Sequence, residues 1–144
     1  MQDFTVITLT GDRPRPFELC TKFVLRQTVK PTQWLIVDDG RAPMMSPKVD
    51  FVDYVRRERR KSDPEHTLTV QMYTALDRVK TDRVIVVEDD DWYCDTYFER
   101  MLALFDLSSK PELVGQGNAV YYHVGQQSFY RHFNTAHASL CQTG

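Results

Sequence analysis

Short apolar runs alternate with helix-like segments along the first two thirds of the chain. Four of these runs lie at residues 4–9, 34–37, 51–55 and 83–88. They are rich in β-branched and aromatic side chains and are bounded by Gly, Pro or Asp, which is typical of buried strands. Residues 41–48, by contrast, form a polar stretch with two prolines that predicts a loop.

Helical spacing of apolar residues appears between the predicted strands. The pattern predicts helices at about residues 16–27, 66–79 and 95–105, with Pro16 as an early residue of the first and Pro31 beyond its end. The stripe of the second helix, predicted to pack in the core, consists of Leu68, Met72, Ala75, Leu76 and Val79. Strands that alternate with helices in this way predict an α/β domain.

The pattern changes after residue 105. Residues 113–117, 119–124, 128–133 and 136–141 resemble short strands, for which we expect antiparallel pairing. With 144 residues, 42% of them hydrophobic, the chain has the size of one globular domain with a substantial core.

Charge and composition exclude several classes of protein. The net charge of −2 gives no overall attraction to nucleic acid or membrane, so such a partner requires a local patch. No apolar run approaches the roughly 20 residues of a membrane span, and the N-terminus lacks the organisation of a signal peptide, so we expect a cytoplasmic location. Three cysteines without CxxC spacing indicate free thiols.

Acidic residues follow two of the predicted strands. Glu88, Asp89, Asp90 and Asp91 come directly after the fourth strand, and Asp38-Asp39-Gly40 follows the second. Adjacent carboxylates repel one another unless a cation neutralises them, and oxygen ligands suit Mg²⁺ or Mn²⁺. Open α/β sheets also bind ligands at the carboxyl ends of their strands. The alternative is a solvated acidic turn that caps the next helix.

Three segments in order carry a resemblance to a known family. They are Val6-Ile7-Thr8-Leu9-Thr10, the stretch from Gln27 to Gly40 that contains Trp34-Leu35-Ile36-Val37-Asp38-Asp39, and Glu88-Asp89-Asp90 before an aromatic helix. Together the segments resemble the nucleotide-sugar-binding half of a GT-A glycosyltransferase, closest to family 2, over most of residues 4–105. The resemblance implies a Rossmann-like α/β fold whose mixed central sheet is flanked by helices. It also implies one domain over residues 1–144, with nucleotide-sugar binding in residues 1–105 and acceptor-side strands in residues 106–144.

The resemblance also assigns roles to individual residues. It places Mn²⁺ or Mg²⁺ on Asp90, with Asp91 either a second ligand or a helix cap, and has Asp39 accept a hydrogen bond from the base. A basic residue after the third strand approaches the nucleotide; Arg57 and Arg60 both fit, although the basic run 56–61 also fits a solvated face. The residues assigned to the nucleotide sugar are Thr8, Thr10, Asp39, Arg57, Glu88 and Asp89.

The catalytic base has no clear counterpart in the sequence. Family 2 enzymes usually place a catalytic Asp or Glu after the acidic motif, whereas the last acid here is Glu112. His137 is the candidate that remains, with His123 and His132 as alternatives, although a histidine in a strand is more often a packing residue. His66, before the second helix, either caps that helix or touches the nucleotide.

Three functions are consistent with these residues. The favoured one is a metal-dependent, inverting glycosyltransferase that moves a sugar from a nucleoside-diphosphate sugar to an acceptor hydroxyl. The alternatives are a catalytically incomplete nucleotide-sugar-binding module and another metal-dependent nucleotidyl or phosphoryl transferase. The sequence leaves the donor sugar open, and the acceptor can be a glycan, protein, lipid, small molecule or modified nucleic acid.

Overall fold

The computed structural model describes residues 3–107, 111–115, 120–123 and 125–131. Its centre is a sheet of four parallel strands: β1 (Thr5–Thr10), β2 (Gln33–Asp38), β3 (Val52–Arg56) and β4 (Val84–Val86), in the order β3-β2-β1-β4. The helices are α1 (Pro14–Leu25), α2 (Leu68–Leu76) and α3 (Tyr97–Phe105). Strands β5 (Val120–His123) and β6 (Ser128–Arg131) form a separate antiparallel hairpin.

Helices cover both faces of the sheet. Every residue of β1 and β2 is buried, as expected for central parallel strands. Side chains alternate between the two faces, so Trp34 packs in one apolar cluster with α1 and α3, while the adjacent Leu35 packs in the other with Ala75 of α2. This layered arrangement confirms the predicted α/β fold.

The second helix departs from its prediction. Ala75 is buried and Met72 is partly buried, but the side chains of Leu68 and Leu76 are 63% and 49% exposed, so the expectation that the whole stripe is core was wrong. Leu68 is the first residue of α2, and Leu76 lies about 100° around the helix from Ala75. The face against the sheet instead contains Gln71, which is buried four residues before Ala75.

The C-terminal strands are only partly described. The hairpin pairs Val120 with Arg131 and His123 with Ser128, which confirms antiparallel pairing in this region. Residues 113–115 do not form a strand, and the predicted strand at 136–141 lies outside the described residues. Within the part of the chain that the structure describes, no helix is long and apolar enough to cross a membrane.

The strand order places a crevice between two strand ends. From β1 the chain moves outward to β2 and β3, and it then returns to β4 on the other side of β1. Helix α1 follows β1 on one face of the sheet, whereas α2 precedes β4 on the other. Connections that leave in opposite directions open a crevice at the carboxyl ends of β1 and β4, where such folds bind ligands.

Candidate functional site

The loops after β1 and β4 are joined at this crevice. Thr10, the last residue of β1, donates a hydrogen bond from Oγ1 to Oδ2 of the buried Asp89 at 2.6 Å. The guanidinium of Arg13 forms ion pairs with both Asp89 and Asp90, the latter at 2.5 Å. Burial raises the pKa of Asp89, although the Thr10 hydrogen bond and the Arg13 charge act in the opposite direction.

Asp38 holds the loop that follows β2. Its Oδ1 accepts a hydrogen bond from the backbone N–H of Gly40 at 2.9 Å, and its Oδ2 accepts hydrogen bonds from Met44 N–H and Tyr54 O–H at 2.8 and 2.5 Å. Arg56 adds an ion pair to Oδ1 at 3.0 Å. These contacts saturate the carboxylate, so Asp38 braces the loop and is not available to a ligand.

Asp39 lies beside two arginines of the basic run. Its Oδ1 is 3.1 Å from Arg59 Nη2, and its Oδ2 is 3.5 Å from Arg57 Nη1. Arg57 is in turn held by Asp63 at 2.7 Å. Among the described residues, Oδ2 of Asp39 accepts no hydrogen bond although it is buried. Arg57 Nη1, which faces this oxygen, also lacks a hydrogen-bond partner among the described residues. Buried polar atoms normally have a partner, and a ligand is one group that can supply it.

Two glycines allow the loops after β1 and β2 to approach each other. A Cβ on Gly40 would lie 2.5 Å from the backbone nitrogen of Asp12, and one on Gly11 would lie 2.8 Å from Oδ1 of Asp39. Real Cβ atoms do not come this close, so only glycine permits the two strand ends to pack together. The packing places Asp39 next to the end of β1.

A cleft of about 210 Å³ opens beside these strand ends. Its lining combines charged and polar side chains with two leucines: Leu9, Thr10, Gly11, Arg13, Asp39, Arg59, Glu65, His66, Thr67, Leu68 and Gln71. Gln71 anchors α2 to the sheet by donating a hydrogen bond from Nε2 to the Thr10 carbonyl at 2.8 Å. The cleft therefore lies between the end of β1 and the start of α2.

Three carboxylates gather in the loop after β4. Each of Glu88, Asp90 and Asp91 offers one oxygen within 4.8 Å of the other two. Burial, with the charges of Glu88 and Asp90, raises the pKa of Asp91. Tyr93 shapes the loop, because its buried ring carries a hydroxyl that accepts a hydrogen bond from the Glu88 N–H at 3.0 Å. Three such oxygens suit Mg²⁺ or Mn²⁺, whose charge favours the ionised carboxylates.

The structure places the residues predicted from the sequence at different positions around the strand ends. Thr10 and Asp39 line the cleft, Arg57 lies behind Asp39, and Asp89 is buried beneath Arg13. Glu88 lies in the carboxylate cluster with the predicted metal ligands Asp90 and Asp91.

Thr8, which the resemblance assigned to the nucleotide sugar, lies in the core. Its hydroxyl accepts a hydrogen bond from Trp34 Nε1 at 3.1 Å, and both residues are fully buried. Thr8 therefore does not line the cleft.

The histidines differ in position. His66 lines the cleft, whereas His123 lies in the hairpin, where its Nδ1 accepts a hydrogen bond from the Gln126 N–H at 3.0 Å. His137, the candidate base, and His132 lie outside the described residues.

Sequence reasoning missed Arg13, Arg59 and Gln71 as site residues. Gln71 had a detectable signal, since it is a polar residue within an apolar helical stripe. Arg59 lies in the basic run 56–61, but nothing distinguished it from Arg57 and Arg60. Arg13 had no signal beyond its position shortly after a strand, because its partners are distant in sequence.

No protein-family model matches the chain, and no curated protein matches it significantly. The solved structures that match include the crystal structure of S. aureus TarS 1–349, with a TM-score of 0.55. The fold is GT-A-like. Sequence identity to TarS is 16%, and the match covers 73% of this chain but 32% of that one, so the chain spans about a third of the TarS structure. At this identity the likeness establishes the fold alone.

Proposed function

We propose that this chain is a metal-dependent glycosyltransferase that moves a sugar from a nucleoside-diphosphate sugar to an acceptor hydroxyl, with inversion. The observation that carries the proposal is the placement of two features at the reversal of strand order. Thr10, Arg13 and Asp39 line a polar cleft there. Arg13 also pairs with Asp90, which belongs to the cluster of Glu88, Asp90 and Asp91. The GT-A-like fold supports the same reading.

The cleft suits the nucleoside. Oδ2 of Asp39 is a buried acceptor without a donor among the described residues, and a base N–H satisfies it. Arg57 and Arg59 hold this carboxylate in position, while Thr10 and His66 offer polar groups along the cleft. Its volume of about 210 Å³ is smaller than most small-molecule sites, so we assign it the base and ribose rather than the whole donor.

The carboxylate cluster suits the cation and the diphosphate. Asp90 and Asp91, with Glu88, would hold Mn²⁺ or Mg²⁺, which supplies neutralisation of the charge that develops on the departing diphosphate. Arg13 adds a fixed positive charge at the same edge. Tyr93 stabilises the loop, because its ring packs in the core while its hydroxyl accepts the hydrogen bond from the Glu88 N–H.

We place the general base among the histidines of the acceptor-side region, residues 106–144, with His137 first. The base takes the proton of the acceptor hydroxyl as the hydroxyl oxygen attacks the anomeric carbon. Alanine replacements of His137, His132 and His123 test this assignment. Loss of a base typically lowers the rate by about 10²- to 10⁴-fold while donor binding persists. Unchanged rates in all three variants would place the base among the earlier acids.

Calorimetry with UDP, GDP, ADP and CDP, with and without Mn²⁺, tests the donor site. We expect at least one nucleoside diphosphate to bind, and Mn²⁺ to strengthen its binding, because the metal links phosphate oxygens to the carboxylates. Asp90→Asn should remove the metal effect while the fold persists. Asp95→Asn is the matched control, since Asp95 pairs with Arg26 at 2.6 Å and lies outside the cluster. Absence of binding at millimolar concentrations would refute the donor site.

The released product separates glycosyl transfer from the alternatives. A glycosyltransferase, or hydrolysis of the donor in its active site, releases a nucleoside diphosphate from the nucleotide sugar. A nucleotidyl transferase acting on a nucleoside triphosphate releases pyrophosphate instead. Donor binding without any release of product favours the catalytically incomplete binding module.

A further inference from the structure

Arg13 occupies a position between the two halves of the site. Its guanidinium contacts Asp89 with one nitrogen and Asp90 with the other, and the side chain is 47% exposed. Its backbone is fixed at the start of α1, where the Arg13 carbonyl accepts a hydrogen bond from the Phe17 N–H at 3.1 Å. The backbone is therefore anchored, while the exposed side chain has room to change partners.

Asp90 cannot pair fully with Arg13 and bind a cation in the carboxylate cluster at the same time. Its carboxylate pairs with Arg13, and it is also one of the three acids whose oxygens lie within 4.8 Å of one another. A divalent cation held by those oxygens would repel the guanidinium and would compete with it for Asp90. Asp89 is outside the three-acid cluster and is buried, so it remains a partner for Arg13 when Asp90 is taken.

Arg13 also borders the cleft. Arg13 is one of its lining residues, together with Thr10 and Asp39. An arginine held by one acid through one side of its planar fork still presents N–H donors on the other side, and this geometry matches phosphate oxygens.

We propose that Arg13 is a handover residue: it neutralises Asp90 in the empty site, yields Asp90 to the incoming cation, and then binds the diphosphate while Asp89 retains it. This inference rests on the proposed function and adds to it a residue that binds the diphosphate. The proposal requires Arg13 to have opposite effects on two affinities. Its side chain must weaken the binding of the cation alone and strengthen the binding of the nucleotide together with its cation.

Arg13→Gln tests the proposal through two affinities. Mn²⁺ alone is titrated by the electron paramagnetic resonance signal of the free ion, and UDP and GDP are titrated by calorimetry at saturating Mn²⁺. We expect Mn²⁺ alone to bind about two- to fivefold more tightly, since a half-exposed competing ion pair is lost. We expect UDP or GDP to bind roughly ten- to a hundredfold more weakly, since a charge-assisted hydrogen bond to phosphate is lost.

Two further variants control the measurement. Arg15→Gln removes the same charge from an exposed position two residues along the chain, and both affinities should stay close to those of the wild type. Arg13→Lys keeps a positive charge for Asp89 but lacks the fork, so Mn²⁺ should bind more tightly while the nucleotide loses less affinity. Circular dichroism confirms that each variant is folded.

The sign of the two changes decides the outcome. If both affinities fall in folded Arg13→Gln, Arg13 only braces the loop, and the handover is refuted; unchanged affinities refute it as well. These results leave the proposed function intact as long as the wild-type chain binds Mn²⁺ and a nucleoside diphosphate. If the wild-type chain binds neither, the proposed function and the handover both fail.

Discussion

Adjacent aspartates at the end of β2 have opposite surroundings. Asp38 accepts three hydrogen bonds and an ion pair, whereas Oδ2 of Asp39 accepts no hydrogen bond from the described residues. The sequence predicted that acids end this strand, and the resemblance gave the nucleotide to Asp39. The sequence did not predict the partners of Asp38. Nothing in the sequence around Met44 or Tyr54 indicates that these residues donate hydrogen bonds to Asp38.

The aspartate pair gives a prediction for stability and binding. Asp38→Asn should lower the free energy of unfolding by about 3 kcal/mol, because the new NH₂ group faces donors in a buried site. Asp39→Asn should cost less stability and should weaken nucleoside diphosphate binding about tenfold, because it weakens the acceptor offered to the base. Urea unfolding and calorimetry measure the two effects. Equal losses of stability without a change in binding would contradict the division of roles.

Hydrophobic periodicity predicted the elements of the sheet and helices better than it predicted their ends. The strand expected at 83–88 is reduced to Val84–Val86, since the chain turns into the acidic loop once its pairing with β1 ends. The first helix ends at Leu25, and Gln27 lies beyond it in the core. A buried glutamine was not expected, because two of its three partners, Cys94 and Phe98, come close to it only in the folded chain.

Gln27 joins two helices on the same face of the sheet. Its Nε2 donates hydrogen bonds to the carbonyls of Phe23 and Cys94 at 3.1 and 2.7 Å. Its Oε1 accepts a hydrogen bond from the Phe98 N–H at 3.0 Å. Phe98 is the second residue of α3, whose N-cap Thr96 makes no side-chain capping bond, so Gln27 supplies the missing acceptor from just beyond the end of α1.

Gln27→Leu should therefore destabilise the protein by about 2 to 4 kcal/mol, because a buried carbonyl and a helix N–H lose their partner. The Phe98 amide should also exchange its hydrogen faster than in the wild type. Thr28→Val is the control: the exposed Thr28 hydroxyl contacts Glu99 at 3.1 Å, and its loss should change stability by about 0.5 kcal/mol or less. A Gln27→Leu protein as stable as the wild type would show that the helices need no such link.

At the scale of the whole molecule, the strand order decides where the site lies. Alternating strands and helices predicted an α/β fold, and the α/β rule placed ligands at the strand ends. The hydrophobic pattern of the sequence did not predict the strand order β3-β2-β1-β4. Each apolar strand is equally compatible with several positions in a parallel sheet. Contacts such as Arg13 with Asp90, 77 residues apart, depend on β4 lying next to β1 and therefore required the structure.

The buried core also makes the stability of the molecule sensitive to alkaline pH. Burial raises the pKa of the Cys20 thiol from 9.0 to about 12, and burial together with the Asp38 contact raises the pKa of the Tyr54 hydroxyl from 10.0 to about 12. Above pH 9 the unfolded chain loses the thiol proton while the folded chain keeps it. Unfolding then releases a proton, so increasing pH favours the unfolded state until the folded thiol also ionises near pH 12.

We therefore expect the free energy of unfolding to fall steadily between pH 9 and about pH 12 at constant ionic strength. Cys20→Ala should flatten this slope, because it removes the buried thiol that binds the proton. Val24→Ala truncates a buried side chain one turn further along α1 without removing a titrating group, so it should lower stability at every pH and leave the slope unchanged. Urea titrations of the three proteins across this range measure the effect. The same slope in Cys20→Ala and the wild type would show that the thiol does not cause the alkaline loss.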